Sequence, residues 1–147
     1  MRLLSFVLLC GLFVAACGDS GSDVIPTAPS INVPFSTTDL VVGTGAEAAA
    51  GRSVAVNYTG WTYSTTAADN KGTRFDSSLD PGRTPLVFTV GASNIIQGFS
   101  QGVVGMRVGG TRRVVIPPNL AYGNNPPSSA IRANETLLFE ISLLAVQ

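Results

Sequence analysis

The chain of 147 residues contains no histidine. That absence removes Ser-His-Asp and Cys-His catalytic arrangements, and with them every His-ligated zinc or haem site. Cysteine is nearly absent too. Cys10 and Cys17 both lie near the N-terminus, so neither a disulfide framework nor a Cys-rich metal site is available to the rest of the chain. Charge is scarce, at 12% of residues, and it balances to a formal net charge of +0. The longest basic cluster is Arg112-Arg113, inside an apolar run, which is a poor electrostatic footprint for nucleic acid. The uncharged apolar run from Leu3 to Ala16 covers about 14 residues, short of the ~20 that a membrane-spanning helix needs.

What is present points to one folded domain with extras. Apolar residues make up 45% of the chain, enough for a core. The 16 glycines and 9 prolines favour many turns and short strands over long helices. Residues 1–16 have the layout of a bacterial signal peptide: Arg2, then the apolar run, then Val14-Ala15-Ala16 ahead of Cys17. The small residues before a cysteine resemble a lipobox, which makes Cys17 the expected site of lipidation. A plain secretory leader with an incidental cysteine is the alternative. Residues 17–38, rich in Ser, Thr, Gly, Asp and Pro, read as the lipidated cysteine and a flexible tether. The expected location is the bacterial cell envelope, lipid-anchored on the periplasmic side of the outer membrane or on the outer face of the cytoplasmic membrane. Gly18 after the cysteine, where an aspartate retains many lipoproteins in the inner membrane, leans toward the former.

Residues 39–147 read as the folded domain. Leu40–Val42 read as a short strand that ends at a Gly-Thr-Gly turn. Arg52–Thr62 alternates with period two, as a strand does. Leu86–Val90, Thr111–Ile116 and Glu135–Val146 read as further strands, with Leu137, Phe139, Ile141 and Leu143 on one face of the last. Ile95 or Ile96, Phe99, Val103 and Met106 recur at spacings of three and four, which predicts a short helix with one apolar face. Gly98, Gly102 and Gly105 form a second stripe on that helix, as if a sheet backbone approaches it closely. About five strands and one short helix make an antiparallel α+β domain.

Five segments then occur in order: NYTGW (Asn57–Trp61), TRFDSS (Thr73–Ser78), IIQGFSQGVVGMRVGG (Ile95–Gly110), RRVVIPPNLAYG (Arg112–Gly123) and TLLFEISLL (Thr136–Leu144). Together they closely resemble the FKBP family of peptidyl-prolyl cis-trans isomerases. The resemblance implies an antiparallel sheet curled around the helix and a pocket between the two. It implies rotation about the peptide bond that precedes proline, with no cofactor and no metal. It implies proline-containing polypeptides as partners, extending to macrolide ligands, with a membrane reached through the lipid anchor. By position it assigns the catalytic site to Tyr58, Asp76, Tyr122 and Phe139, and the substrate pocket to Phe75, Leu86, Ile95, Ile96, Phe99 and Ile131. The Ile96 N–H and the Tyr122 hydroxyl match the groups that hold ligand carbonyls. Phe99 stands where many members have tryptophan and Leu86 where an aromatic is common, while NNPPSS (Asn124–Ser129) puts proline near a position that is histidine in some. The DPGRTP loop is a residue longer than the family pattern, which leaves Arg83 without an assigned role.

These residue types suit the implied chemistry. Amide resonance sets a barrier of ~18–20 kcal/mol, while cis and trans before proline differ by only ~0.5–1 kcal/mol. Catalysis therefore has to favour the twisted amide over both planar forms, with no bond to the protein. The twisted amide separates less charge, so a dry aromatic pocket penalises it less. Lowering the barrier by ~6–8 kcal/mol corresponds to roughly 10⁴- to 10⁶-fold. Asp76, a carboxylate among apolar neighbours, needs hydrogen-bond partners, and Tyr58 is the natural one. It reads as a shaper of the pocket and not as a general base. The expected function is a prolyl isomerase that assists folding of extracytoplasmic proteins. The competing expectation is a catalytically weak, membrane-tethered binding or chaperone module.

Overall fold

The computed structural model describes residues 33–147. The signal-peptide reading, Cys17 and the tether up to residue 32 lie outside the described residues. Six strands and one helix follow in chain order: β1 (Ser36–Val41), β2 (Ser53–Tyr63), β3 (Lys71–Ser77), β4 (Leu86–Thr89), α1 (Gln97–Val103), β5 (Thr111–Ile116) and β6 (Leu137–Val146). The strands form one sheet in the order β1-β5-β6-β2-β3, with β4 also on β2, and every pairing is antiparallel. On the side of β2 away from β6, residues 53–56 pair with β4 and residues 59–63 with β3. Among the described residues no helix is long and apolar enough to cross a membrane.

The expected α+β architecture holds, with two adjustments. β1 begins at Ser36, so residues 36–38, read above as the end of the tether, belong to the sheet. β3 is a strand that the period-two pattern does not reveal. Its pairing with β2 shifts register twice, between Gly60 and Trp61 and again between Trp61 and Tyr63, so its faces do not alternate cleanly.

The core lies between the sheet's inner face and α1. Val54 and Val56 of β2, Val114 and Ile116 of β5, and Leu137, Ile141 and Leu143 of β6 are at most 1% exposed. Each row follows alternate residues along a strand, as the pleat requires. α1 adds Phe99 and Val103. The glycine stripe acts differently from its sequence reading. A Cβ on Gly98 would stand 2.3 Å from Ile116 Cγ2, and one on Gly102 would stand 2.7 Å from Val114 Cγ2. The helix thus settles onto β5 side chains, not sheet backbone. Gly105 belongs to the turn after the helix, where its φ of 76° favours glycine. Arg112 closes the helix: its guanidinium donates to the carbonyls of Gly102 at 3.0 Å and Val104 at 2.9 Å. The same side chain pairs with Asp39 of β1 at 2.6 Å.

Candidate active site

The inner face gathers aromatic rings at one end. Phe139 of β6 meets Phe99 of α1 edge-on at 5.2 Å and Phe75 of β3 edge-on at 5.6 Å. Tyr58 of β2 meets Phe99 edge-on at 5.6 Å and Phe139 at 6.2 Å. Edge-to-face contacts of this kind suit the ring quadrupoles and leave each ring little freedom. Room for the cluster comes from Gly60, a position with no role in the sequence reading. A Cβ there would lie 2.7 Å from ring carbons of both Phe139 and Phe75. An isolated glycine within the β2 alternation was the available signal, since it often marks a close approach.

Asp76 anchors the polar side of the cluster. The Tyr58 hydroxyl donates to Asp76 Oδ2 at 2.5 Å, and the Ser77 N–H donates to Oδ1 at 2.9 Å. The Arg83 guanidinium reaches Oδ1 at 3.2 Å. The DPGRTP loop therefore delivers Arg83, to which the sequence assigned no role, to this carboxylate. The Asp76 side chain is 37% exposed, so it sits at the mouth of the cluster and is not buried in it. Ser78 ties the strands together behind it: its Oγ accepts from the Tyr58 N–H at 2.9 Å, and its own N–H donates to the Tyr58 carbonyl at 3.0 Å. Burial, together with the bond to Asp76, pushes the Tyr58 phenol up to about 12. Burial, with the Asp76 charge as the lesser cause, also raises the Tyr122 phenol. Both phenols therefore remain protonated donors at neutral pH.

The remaining residues bound the cluster on two sides. Leu86 begins β4 and shares with Tyr58 and Arg83 a cleft of about 300 Å³. Ile95 and Ile96, just before α1, share with Tyr122 a larger groove that has no lining residue in common with that cleft. Phe99, Phe139 and Ile131 are each 3% exposed, so they form a buried floor and not an open wall. Tyr122 is held by a loop whose ends are stitched together. The Asn134 N–H donates to the Gly123 carbonyl at 2.7 Å, and its side chain donates to Asn124 Oδ1 at 2.6 Å. Asn134 takes a φ of 57°, which asparagine tolerates better than most residues. Nothing in the local sequence pattern signals these ties between Asn134 and the Gly123-Asn124 end of the loop.

Two donors at the rim have no acceptor among the described residues: the Ile96 N–H and the Tyr122 hydroxyl. Ile96 precedes the first helical turn, where backbone N–H groups lack intrahelical partners. Among the described residues no group of three or more potential metal ligands gathers. The arrangement offers shape, rings and hydrogen-bond donors, without a paired nucleophile and base.

The antiparallel sheet packed on one helix places the chain among α+β proteins. The particular family is direct to establish: residues 45–144 match the model for FKBP-type peptidyl-prolyl cis-trans isomerases, and the chain belongs to that family. It is 42% identical over 108 residues to an FK506-binding protein of Neisseria meningitidis serogroup B, a match that spans 74% of this chain and 92% of the relative. It is 44% identical over 109 residues to an FK506-binding protein of Streptomyces anulatus, covering 74% of this chain and 82% of the relative. The crystal structure of a peptidyl-prolyl cis-trans isomerase from Pseudomonas syringae pv. tomato superposes with a TM-score of 0.62 at 32% identity, over 77% of this chain and 75% of that one. The protein is accordingly a peptidyl-prolyl cis-trans isomerase.

Proposed function

We propose that turnover is carried by Tyr58, Asp76, Tyr122 and Phe139, over a substrate pocket shaped by Phe75, Leu86, Ile95, Ile96, Phe99 and Ile131. The single observation that supports this reading most is the pair of unpartnered rim donors beside the ring cluster. The Ile96 N–H and the Tyr122 hydroxyl donate to two carbonyls of the bound chain and hold it while the prolyl amide turns, so that binding energy is used for orientation. The prolyl ring rests on the aromatic floor, where the twisted amide loses less on leaving water than the planar forms do. Asp76 keeps Tyr58 and Arg83 in place and takes no proton from the substrate. Macrolide ligands belong to the same pocket, by analogy with the FK506-binding relatives. Phe99 and Leu86 present less ring surface than tryptophan and an aromatic rim would, which weakens that binding.

The clients are extracytoplasmic proteins whose folding waits on proline. Prolyl isomerisation takes tens of seconds without a catalyst, and this chemistry needs no ATP. The lipid anchor at Cys17 and the tether after it hold the domain at the envelope membrane. An exchange assay on a short X-Pro peptide tests the catalytic reading. Exchange at the uncatalysed rate by demonstrably folded protein replaces it with the binding-module reading. Mass spectrometry of the mature N-terminus tests the anchor, which predicts an acylated Cys17.

A further inference from the structure

The groove beside Ile95, Ile96 and Tyr122 extends well past the prolyl site. It has a volume of about 790 Å³ and runs along the outer side of α1 as far as Val104 and Ala50. That size falls within the ~300–1,000 Å³ of small-molecule pockets. Its wall carries the side-chain amides of Asn94, Gln97 and Gln101, its far end is apolar, and no charged residue lines it. An amide side chain offers both donors and an acceptor, so it can pair with either group of a peptide backbone whatever the sequence. The wall is braced before any ligand arrives. Ser100 Oγ accepts from the Gly91 N–H at 2.6 Å, and the Ala92 N–H donates to the Thr89 carbonyl at 3.0 Å, which pins the β4–α1 loop to helix and strand.

We propose that this groove is an extended client subsite: it binds the uncharged stretch of polypeptide that continues from the prolyl residue. The occupant follows from continuity, because Ile95, Ile96 and Tyr122 border both the prolyl site and the groove. It also follows from length. From Gln97 to Val103 the helix is ~10 Å long, which an extended chain covers with about three residues. A tetrapeptide that contains proline leaves the groove beyond Ile96 and Tyr122 empty, and a longer client fills it. Charged flanks find no counter-charge there, so neutral segments are preferred. The inference rests on the isomerase reading of the site.

The test compares three neutral peptides with full-length protein: an Ala-Leu-Pro-Phe tetrapeptide, and the same core extended by four uncharged residues on its N-terminal or its C-terminal side. One of the two extensions raises kcat/KM by about three- to tenfold, mainly through KM, as one or two net hydrogen bonds would do. Gln97→Ala/Gln101→Ala removes that gain and leaves tetrapeptide turnover unchanged. Val104→Arg, a change at a side chain 45% exposed, serves as the second variant should the first fail to fold, and it abolishes the gain by blocking the far end. Equal kcat/KM for all three peptides, or a gain that survives both variants, overturns the proposal. Sedimentation as a dimer that Val104→Arg dissociates, with no gain from either extension, assigns the groove to a second copy and also overturns it. Should the tetrapeptide itself turn over at the uncatalysed rate, the isomerase reading fails and the subsite falls with it; turnover without any extension effect removes the subsite alone.

Discussion

On the outer face of the sheet, Glu140 accepts from Arg113 at 2.9 Å and pairs with Lys71 at 2.9 Å. Arg113 reaches Asp69 at 3.7 Å, and the Lys71 ammonium lies 4.7 Å from the Trp61 ring centroid. On the inner face, a residue or two away across the same strands, Phe139 and Tyr58 face other rings, and the Ile96 N–H and Tyr122 hydroxyl at the rim have no acceptor among the described residues. The two faces carry the same strands to different ends. Outside, every charge in the network has its counterpart, so the polar chemistry is spent on the fold. Inside, donors are left open beside apolar rings. Asp76 marks the border, with its partners supplied by the chain and its side chain still reaching water.

Substitutions on either face sharpen this contrast. Phe139→Ala is expected to have the largest effect. It deletes a ring in contact with three others, costs about 3–5 kcal/mol of stability in urea unfolding, and drops turnover of a prolyl peptide to background. Gly60→Ala follows. Its new methyl group would sit 2.7 Å from carbons of Phe75 and Phe139, and the overpacking costs about 1–3 kcal/mol with a matching fall in turnover.

Tyr122→Phe and Glu140→Gln separate the faces. The first lowers kcat/KM by about three- to tenfold, the worth of one hydrogen bond, with little change in unfolding midpoint. The second lowers stability by about 1 kcal/mol or less and leaves kcat/KM unchanged. Burial opposes ionisation of Glu140, but Lys71 and Arg113 outweigh it and hold the carboxyl below its usual 4.5. Its contribution is thus complete above that value and fades as pH falls through the lowered one, so wild type and Glu140→Gln converge in acid. Equal losses of activity from both variants would erase the distinction between the faces.

The smallest expected effect is spectroscopic. The Tyr58 phenol, raised from 10.0 to about 12, gives stability that is whole below 10.0 and is lost as pH rises through about 12. Phenolate absorbance, compared with Tyr58→Phe, reads that midpoint directly. Asp76→Asn moves it down by removing the lesser cause and leaves the part due to burial.

The sheet was legible wherever one face is buried. β6 announced itself through Leu137, Phe139, Ile141 and Leu143, all inward and at most 3% exposed. β3 did not, because Phe75 is its one large apolar residue and two register shifts break the alternation. The helix was legible from Phe99 and Val103, although its ends were not. It runs only from Gln97 to Val103, with no side-chain cap at its start and with Arg112, distant in sequence, at its finish. The family was legible as five motifs in order. The bond from Tyr58 to Asp76 was expected and is present, whereas the loop carrying Arg83 gave no local sign of where its side chain would land.

Taken alone, the sequence determined that this is an antiparallel α+β domain of the FKBP type, built with no histidine and with aromatic residues at the positions that the family resemblance assigns to the pocket. Alternation and helical spacing are local properties, and the chain carries them before it folds. Only the tertiary structure decided that Gly60 makes space for two rings, that Arg83 meets Asp76, that Phe99 and Phe139 lie beneath the site as its floor, and that the rim donors stay open. The ring contacts depend on segments far apart in the chain being brought within a few ångströms, and the Arg83 pairing, only seven residues from Asp76, depends on how the loop between them turns, so no local pattern records either distance.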